Sequence, residues 1–354
     1  MKQENEIIVS IIIPVKNGEQ YLEETLISLF NQKCEGLLLE ISIYDDGSID
    51  KTDEIIKKWR DIFVNNNFLF VHSKATTSGG VAYAKHQAII QSCGEYLCFN
   101  DSDDISEEQR VIKQLKFILN ENNPKNVLIG TKFNRIPVDS TIRFTRWGNS
   151  LSDEQLLTQC YTSNGPTVIA PTWFMSRELY DNVGGFRIDI PKGFPEDLDL
   201  FYKILKKGGK IKRVPDYLVT YRYHPNCATF NINENTIWDM RVNEISNVIL
   251  SKWNSFSIWS VGKQGKKFFR SLSLENQNKV QAFCDCDKKK LGRNYLEVYD
   301  EKKRLVTYRI PIVPISEIEP PVVICVKLDM TNGHLEKYID IKNWVEGRDF
   351  FHFS

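Results

Sequence analysis

The sequence predicts an α/β protein, a parallel-rich sheet flanked by helices, followed by a small Rossmann-like α/β domain. Two observations predict the first part. Apolar runs too continuous for a half-exposed strand recur along the first hundred residues, each followed by a turn and a segment of helical periodicity. Strand and helix alternate four times, an order that calls for parallel neighbours and right-handed crossovers. A third observation marks the working edge: acidic residues stand where the strands end, and open α/β sheets bind ligands where strands hand over to loops.

Ile7-Ile8-Val9-Ser10-Ile11-Ile12-Ile13 is the opening strand, and Pro14-Val15-Lys16-Asn17-Gly18 turns it into a helix over 19–31, where Tyr21, Leu22, Leu26, Leu29 and Phe30 recur at helical spacing. A strand over 37–44 runs into Asp45-Asp46-Gly47-Ser48-Ile49-Asp50 and a helix over 52–63. A third strand, 68–72, precedes Ser78-Gly79-Gly80 and a helix over 81–92. The fourth strand, Tyr96-Leu97-Cys98-Phe99, delivers Asp101, Asp103 and Asp104 to its C-terminal end. Three carboxylates within four residues repel one another unless a cation sits among them, and Mg²⁺ or Mn²⁺ prefers such oxygen ligands. The competing reading is a solvated helix start, since Ile105-Ser106-Glu107-Glu108 looks like one.

The middle of the chain carries Ser163-Asn164-Gly165-Pro166-Thr167, the apolar segment 168–175, Val183-Gly184-Gly185-Phe186 and Pro195-Glu196-Asp197-Leu198-Asp199-Leu200. Glu196 and Asp197 stand before a helix over 198–207, where carboxylates also complement the helix dipole. A strand over 217–220 leads into Tyr221-Arg222-Tyr223-His224-Pro225. A helix over 235–253 then links a domain over 1–234 to another over 255–354. The second begins with a strand over 256–261, Gly262-Lys263-Gln264-Gly265 and a helix through Leu272. Its next strand, 280–285, ends in Asp285, twenty residues beyond Gly265, and 321–327 reads as a further strand. This approximates a dinucleotide fingerprint, but Ser260 occupies the first glycine position and Lys263 crowds the turn. Docking of a partner through this basic turn is the expectation, with nicotinamide or S-adenosylmethionine binding as the alternative.

The 354 residues suffice for two cores, and 42% hydrophobic with 26% charged residues is ordinary for a water-soluble chain. No apolar run approaches the roughly 20 residues of a membrane span, and the polar start is unlike a signal peptide. Eight cysteines form no C-x-x-C pair; Cys93, Cys98 and Cys325 lie in apolar stretches and are expected to be buried thiols. These features lead us to expect a cytoplasmic protein with no membrane partner. The zero net charge hides an asymmetry: residues 1–200 hold 20 Lys and Arg against 29 Asp and Glu, the remainder 26 against 17. The bases cluster at Lys203, Lys206, Lys207, Lys210, Lys212 and Arg213, at Lys263, Lys266, Lys267 and Arg270, and at Lys288, Lys289, Lys290 and Arg293. Each cluster alone reads as a solvated face; together they suit a polyanionic partner.

Ser10-Ile11-Ile12-Ile13-Pro14-Val15-Lys16-Asn17, Asp45-Asp46-Gly47-Ser48 and Asp101-Ser102-Asp103-Asp104 resemble, in order and spacing, the three signatures of the family-2 glycosyltransferases with the GT-A fold. The resemblance implies a donor site built with Pro14 and Asn17, Asp46 on the uracil of a UDP-sugar, and Asp101 and Asp103 on the ribose and on a Mn²⁺ or Mg²⁺ bridging the diphosphate. Asp104 is implied as a supporting member. The Gly-Gly and Glu-Asp steps resemble the acceptor helix, which implies Asp197 as the catalytic base of an inverting enzyme. Arg222 and His224 resemble a tail that returns to the diphosphate or the metal, and Lys85 occupies a place where relatives carry a base near the nucleotide.

Tyr96 to Phe99, the run 158–174, Ser260 to Lys267 and Asp349-Phe350-Phe351-His352-Phe353-Ser354 further resemble the queuosine-tRNA galactosyltransferases, formerly called β-1,3-N-acetylglucosaminyltransferase-like proteins. That resemblance, over essentially the whole chain, implies transfer of galactose from UDP-galactose to queuosine in the anticodon of tRNA-Tyr. The older name implies a UDP-GlcNAc donor and a galactose-ended glycan instead. A non-catalytic tRNA- or glycan-binding module is a further alternative, opposed by the joint presence of Asp46, Asp101, Asp103 and Asp197. A sugar-nucleotide pyrophosphorylase would open with a Gly-rich basic loop, which Pro14-Val15-Lys16-Asn17 is not.

Overall fold

The apolar runs at Ile7–Val15, Leu37–Asp45 and Tyr96–Phe99 become strands whose side chains mostly leave water on both faces, while Leu69–Lys74 is a partly exposed edge strand. The computed structural model describes residues 6–189, 193–292, 294–300, 304–328, 331 and 333–354. The chain divides into two units, Met1–Asp153 with Pro166–Asn233, and Glu154–Gly165 with Glu234–Ser354. The segment 154–165 therefore belongs to the second unit, as does the helix Glu234–Val248 expected as a link.

In the first unit, eight strands among the described residues form one sheet: β1 Ile7–Val15, β2 Leu37–Asp45, β3 Leu69–Lys74, β4 Tyr96–Phe99, β5 Ile105–Ser106, β6 Val127–Ile136, β7 Phe174–Ser176 and β8 Lys210–Arg222. Their order is β3-β2-β1-β4-β7-β6-β8-β5. The first four are parallel, β7 runs antiparallel to β4 and β6, and β5 runs antiparallel to β8. Val9, Ile11 and Ile13 face one side, packed with Leu26, Ile56, Phe63 and Val111 of the helices Leu22–Phe30, Thr52–Asn65 and Arg110–Leu119. Each such side chain contributes about 1.5–3 kcal/mol of burial. On the other side the helix Val81–Ile90 buries Ala82, Ala84 and Ala88, whose small size lets it lie close enough for Ser42 Oγ to donate to the Ala88 carbonyl at 2.6 Å.

Two local expectations fail. Ile105 and Ser106 do not open a helix; they pair with Thr220 and Val219 as β5, and the helix starts at Arg110. The strand expected over 217–220 extends back to Lys210, across a register shift that skips Pro215 and Asp216, because proline cannot donate to the ladder. Cys98 and Cys325 are buried, but Cys93 is exposed, because it falls just past the end of the helix Val81–Ile90.

The second unit holds six strands among the described residues: β9 Phe256–Trp259, β10 Val280–Asp285, β11 Tyr295–Asp300, β12 Leu305–Pro314, β13 Val322–Ile324 and β14 Phe350–His352. They are ordered β11-β12-β10-β9-β13-β14, parallel except for β11. Trp259, Cys284, Ile315, Ile318, Ile324 and Phe350 form part of its core. Among the described residues, no helix is long and apolar enough to cross a membrane.

Candidate active site

Register brings the acidic strand ends together. Val15 lies opposite Asp45, the Asp46 amide donates to the Val15 carbonyl at 2.8 Å, and the Asn100 amide to the Ile12 carbonyl at 3.0 Å. The turns after β1, β2 and β4 thus share one sheet edge. Pro14 sits half-buried at the end of β1. Asn17, in the left-handed region at φ 52°, takes the Ile49 amide on Oδ1 and donates its own amide to Ser48 Oγ at 2.7 Å. The first two signatures are therefore clasped to each other.

Asp46 is 3% exposed, and its carboxylate accepts from Ser78 Oγ (2.6 Å) and from the Gly79 and Gly80 amides (2.7 and 3.0 Å). It holds the turn that opens the helix Val81–Ile90. Asp101, Asp103 and Asp104 each place a carboxylate oxygen within 4.8 Å of the other two. Burial raises Asp101 to about 6, with Asp103 and Glu196 adding to the rise and Lys85 opposing it. Burial, with Asp103 and Asp101, pushes Asp104 well up; its Oδ1 takes the Arg222 amide at 2.8 Å, while Oδ2 is buried without a hydrogen-bond partner. An orphaned oxygen in a crowded carboxylate set is what a hard divalent cation would satisfy, so these residues fit Mn²⁺ or Mg²⁺.

Asp197 lies in the first turn of the helix Glu196–Lys206, yet no side chain caps that helix, whose N-cap is Pro195. Its Oδ1 takes the Leu198 amide at 2.7 Å. Burial raises Asp197 to about 6, Glu196 raises it further and Lys85 opposes. Lys85 is 4% exposed and pairs with Glu196 at 3.0 Å. Burial disfavours its ammonium, but Glu196, Asp101 and Asp197 outweigh that and raise its pKa. Lys85 is thus a charge set among carboxylates, and its direct partner is Glu196.

Arg222 donates from Nε to the Asp103 carbonyl at 3.0 Å, pairs with Glu24 and stacks 4.6 Å above the Tyr21 ring. Its guanidinium holds the acidic loop to the helix Leu22–Phe30. His224 Nε2 lies 2.8 Å from Asp103 Oδ2, and its ring is 5.0 Å from that of Tyr21. The structure thus brings Asp101, Asp103, Asp104 and His224 together and sets Lys85 and Asp197 within electrostatic reach of Asp101.

Sequence reasoning missed two supports. Arg110 is fully buried and donates to Asn100 Oδ1 and Ser106 Oγ (2.8 and 2.9 Å) and to the Phe99 and Pro171 carbonyls (2.6 Å each). Its signal was a charge on the apolar stripe of Val111, Leu115 and Ile118. Asp45, fully buried, receives the Ser48 amide at 2.8 Å and lies 3.3 Å from Lys74.

In the second unit Asp285 does not stand free as a ribose ligand would: Oδ2 takes the Val261 amide (3.0 Å) and the Lys290 ammonium (2.8 Å), and Oδ1 the Asp287 amide. The basic clusters are partly internal. Lys267 lies 4.0 Å over the Trp238 ring, Lys203 pairs with Asp199, Lys212 with Asp153, and Arg213 binds the Gly148 and Leu151 carbonyls. Lys263 and Lys289 are exposed; Arg293 lies outside the described residues.

Residues 10–184 match the family model described as glycosyl transferase family 2. An uncharacterized glycosyltransferase of Haemophilus influenzae is 36% identical over 112 residues, 32% of this chain and 42% of that protein. Glycosyltransferase GlyG of Streptococcus pneumoniae is 28% identical over 61% of this chain and 70% of its own length. The chain thus spans less than half of the first relative and about two thirds of the second. Among solved structures, Staphylococcus aureus TarS 1–349 in complex with UDP-GlcNAc superposes with a TM-score of 0.54 at 18% identity, over 78% of this chain and 84% of that one. The same protein with UDP gives 0.51 at 20% identity, over 77% of each.

Proposed function

We propose, on the premise that residues 10–184 belong to the family-2 glycosyltransferases and carry their GT-A fold, that this protein is an inverting, metal-dependent hexosyltransferase. Its donor is a UDP-sugar and its acceptor a hydroxyl. The observation that carries the reading is the meeting of a crowded carboxylate set, Asp101, Asp103 and Asp104, with Asp197 across the buried Lys85–Glu196 pair.

Asp101 and Asp103, with His224, would hold Mn²⁺ or Mg²⁺; when bound, the ion neutralises the diphosphate and eases its departure. Asp46 and Asn17 organise the turns that form the floor for the nucleoside. Asp197 takes the proton of the acceptor hydroxyl as its oxygen bonds to the anomeric carbon. The bond from that carbon to the diphosphate oxygen breaks on the opposite face, inverting the centre and releasing UDP. A carboxylate raised to about 6 is a stronger base than a surface aspartate and still mostly ionised at neutral pH.

For the partners, the reading is galactose from UDP-galactose delivered to queuosine of tRNA-Tyr. It is supported by the near full-length sequence resemblance and by the excess of bases after residue 200. A second reading, UDP-GlcNAc as donor, is favoured by the TarS likeness, since one relative is named a poly(ribitol-phosphate) beta-N-acetylglucosaminyltransferase. Incubation with radiolabelled UDP-galactose or UDP-GlcNAc and tRNA, with and without queuosine, separates them. Label in queuosine-containing tRNA from UDP-galactose alone is expected. Label from UDP-GlcNAc, or equal label in tRNA lacking queuosine, overturns the assignment.

A further inference from the structure

His224-Pro225-Asn226-Cys227 is a tight turn at the edge of the acidic site. The Cys227 amide donates to the His224 carbonyl at 3.0 Å, with proline and asparagine at the two central positions such turns favour. A turn closed in this way sends its first and fourth side chains to one side. Here they are an imidazole and a thiol, and both converge on Asp103. His224 Nε2 lies 2.8 Å from Asp103 Oδ2, and a nitrogen of His224, the Cys227 sulfur and an Asp103 oxygen all lie within 4.8 Å of one another. Cys227 is 4% exposed. Its thiol accepts the His224 amide at 3.3 Å and a hydrogen bond from the Tyr221 hydroxyl, and donates weakly to the Arg222 carbonyl at 3.5 Å.

We propose that Asp103, His224 and Cys227 form a second, overlapping cation site, selective for thiophilic divalent ions such as Zn²⁺ or Co²⁺, which shares Asp103 and His224 with the donor-metal set and adds the thiol. Ligands around a tetrahedral ion at 2.0–2.3 Å stand about 3.3–3.8 Å apart. The imidazole and carboxylate stand at 2.8 Å and no pair of the three ligand atoms exceeds 4.8 Å, so side-chain adjustments bring them to that spacing. One nitrogen, one sulfur and one oxygen suit Zn²⁺ or Co²⁺, while Asp101, Asp103 and Asp104 offer only the hard oxygens that suit Mg²⁺ or Mn²⁺. On binding, the Cys227 S–H bond is exchanged for a metal–sulfur bond and one proton is released to solvent. Because Asp103 and His224 cannot serve two ions fully, a thiophilic ion held at the turn draws them away from the donor-metal set. Zn²⁺ therefore inhibits a Mn²⁺-supported reaction by competition for these shared ligands. The inhibition rests on the donor-site reading; the binding does not.

The full-length protein is titrated with Co²⁺ under reducing conditions and followed by absorption. One saturable thiolate-to-Co²⁺ charge-transfer band per chain is expected, displaced by Zn²⁺ and not by Mg²⁺. Cys227→Ser and His224→Ala abolish it, Asp101→Asn retains it, and Cys227→Ser weakens Zn²⁺ binding by at least about tenfold while leaving Mn²⁺ binding within about twofold. Thermal melts confirm that each variant is folded. A band surviving in Cys227→Ser, or no band in the parent protein, overturns the proposal. If the band forms as expected but no sugar is transferred with any metal, the hexosyltransferase reading fails and the site stands.

Discussion

Replacing Lys85 with methionine takes a buried cation away from Glu196, Asp197 and Asp101. An opposite charge close to a carboxylate lowers its pKa by about 1–3 units. Lys85 is shared among three acids and bonded to Glu196 at 3.0 Å, so the low end, about 1–1.5 units at Asp197, is the fair expectation. The base works deprotonated, so the rate falls as pH drops through its pKa, near 6 in the parent protein. In Lys85→Met the acid limb of kcat/KM for the acceptor, measured at saturating donor and Mn²⁺, moves to about 7–7.5. The loss is then about 5–15-fold at pH 6, about 2–4-fold at pH 7 and absent at pH 9. Glu196→Gln removes the like charge and moves the limb the other way, below 6; Lys85→Arg leaves it in place. Breaking a buried pair destabilises the fold, so melts accompany each profile. Limbs that coincide in all variants, or that move in one direction for both Lys85→Met and Glu196→Gln, refute the idea that this pair tunes Asp197.

Asp103→Ala removes a carboxylate common to both cation sets and should abolish transfer and Mn²⁺-dependent UDP binding, read by calorimetry; undiminished turnover in EDTA would contradict the metal role. Asp197→Asn should cost roughly 10²–10⁴-fold in kcat while UDP-sugar binding persists, and a collapse of donor affinity instead would make Asp197 structural. Arg110→Met strands the Asn100, Phe99 and Pro171 acceptors, which we expect to cost about 3–5 kcal/mol and roughly 10 °C in melting temperature. Charge reversal at Lys263 and Lys266, sparing Lys267 because it packs on Trp238, should raise KM for tRNA and flatten its salt dependence by about two units of slope, with KM for the donor unchanged.

The strands β1, β2 and β4 and their acidic ends were legible because a strand buried on both faces leaves an unbroken apolar run and its turn follows at once. The constellation of Asp46, Asp101, Asp103 and Asp104 followed from that edge. What was not legible depends on partners far along the chain. Ile105 is a strand only because Thr220 lies beside it, and β8 continues past Pro215 only because the register shift tolerates a missing donor. Asp46 reads as a ligand in sequence, yet its carboxylate is occupied by the turn at 78–80, a pairing set by sheet geometry rather than spacing. Arg110 and Cys227 escaped for a related reason: each gains its meaning in part from a residue distant in the chain, Pro171 for Arg110 and Asp103 for Cys227.

The short run 154–165 bears on how such a chain can be cut, swapped or inherited. Within the second unit, the Ser163 amide donates to the Ser354 carbonyl at 2.7 Å, Arg241 Nε to the Tyr161 carbonyl at 2.8 Å, and Thr158 Oγ1 to Glu346 at 2.9 Å. Cys160 and Tyr161 are buried there. A gene split at residue 233 would leave these twelve residues in one product and every one of those partners in the other. Recombination at a single junction therefore cannot exchange the second unit as a cassette; a transplant has to carry two stretches from the same donor. A co-expressed pair of fragments, 1–233 and 234–354, should reassociate through this run, whereas each fragment made alone should show exposed apolar surface.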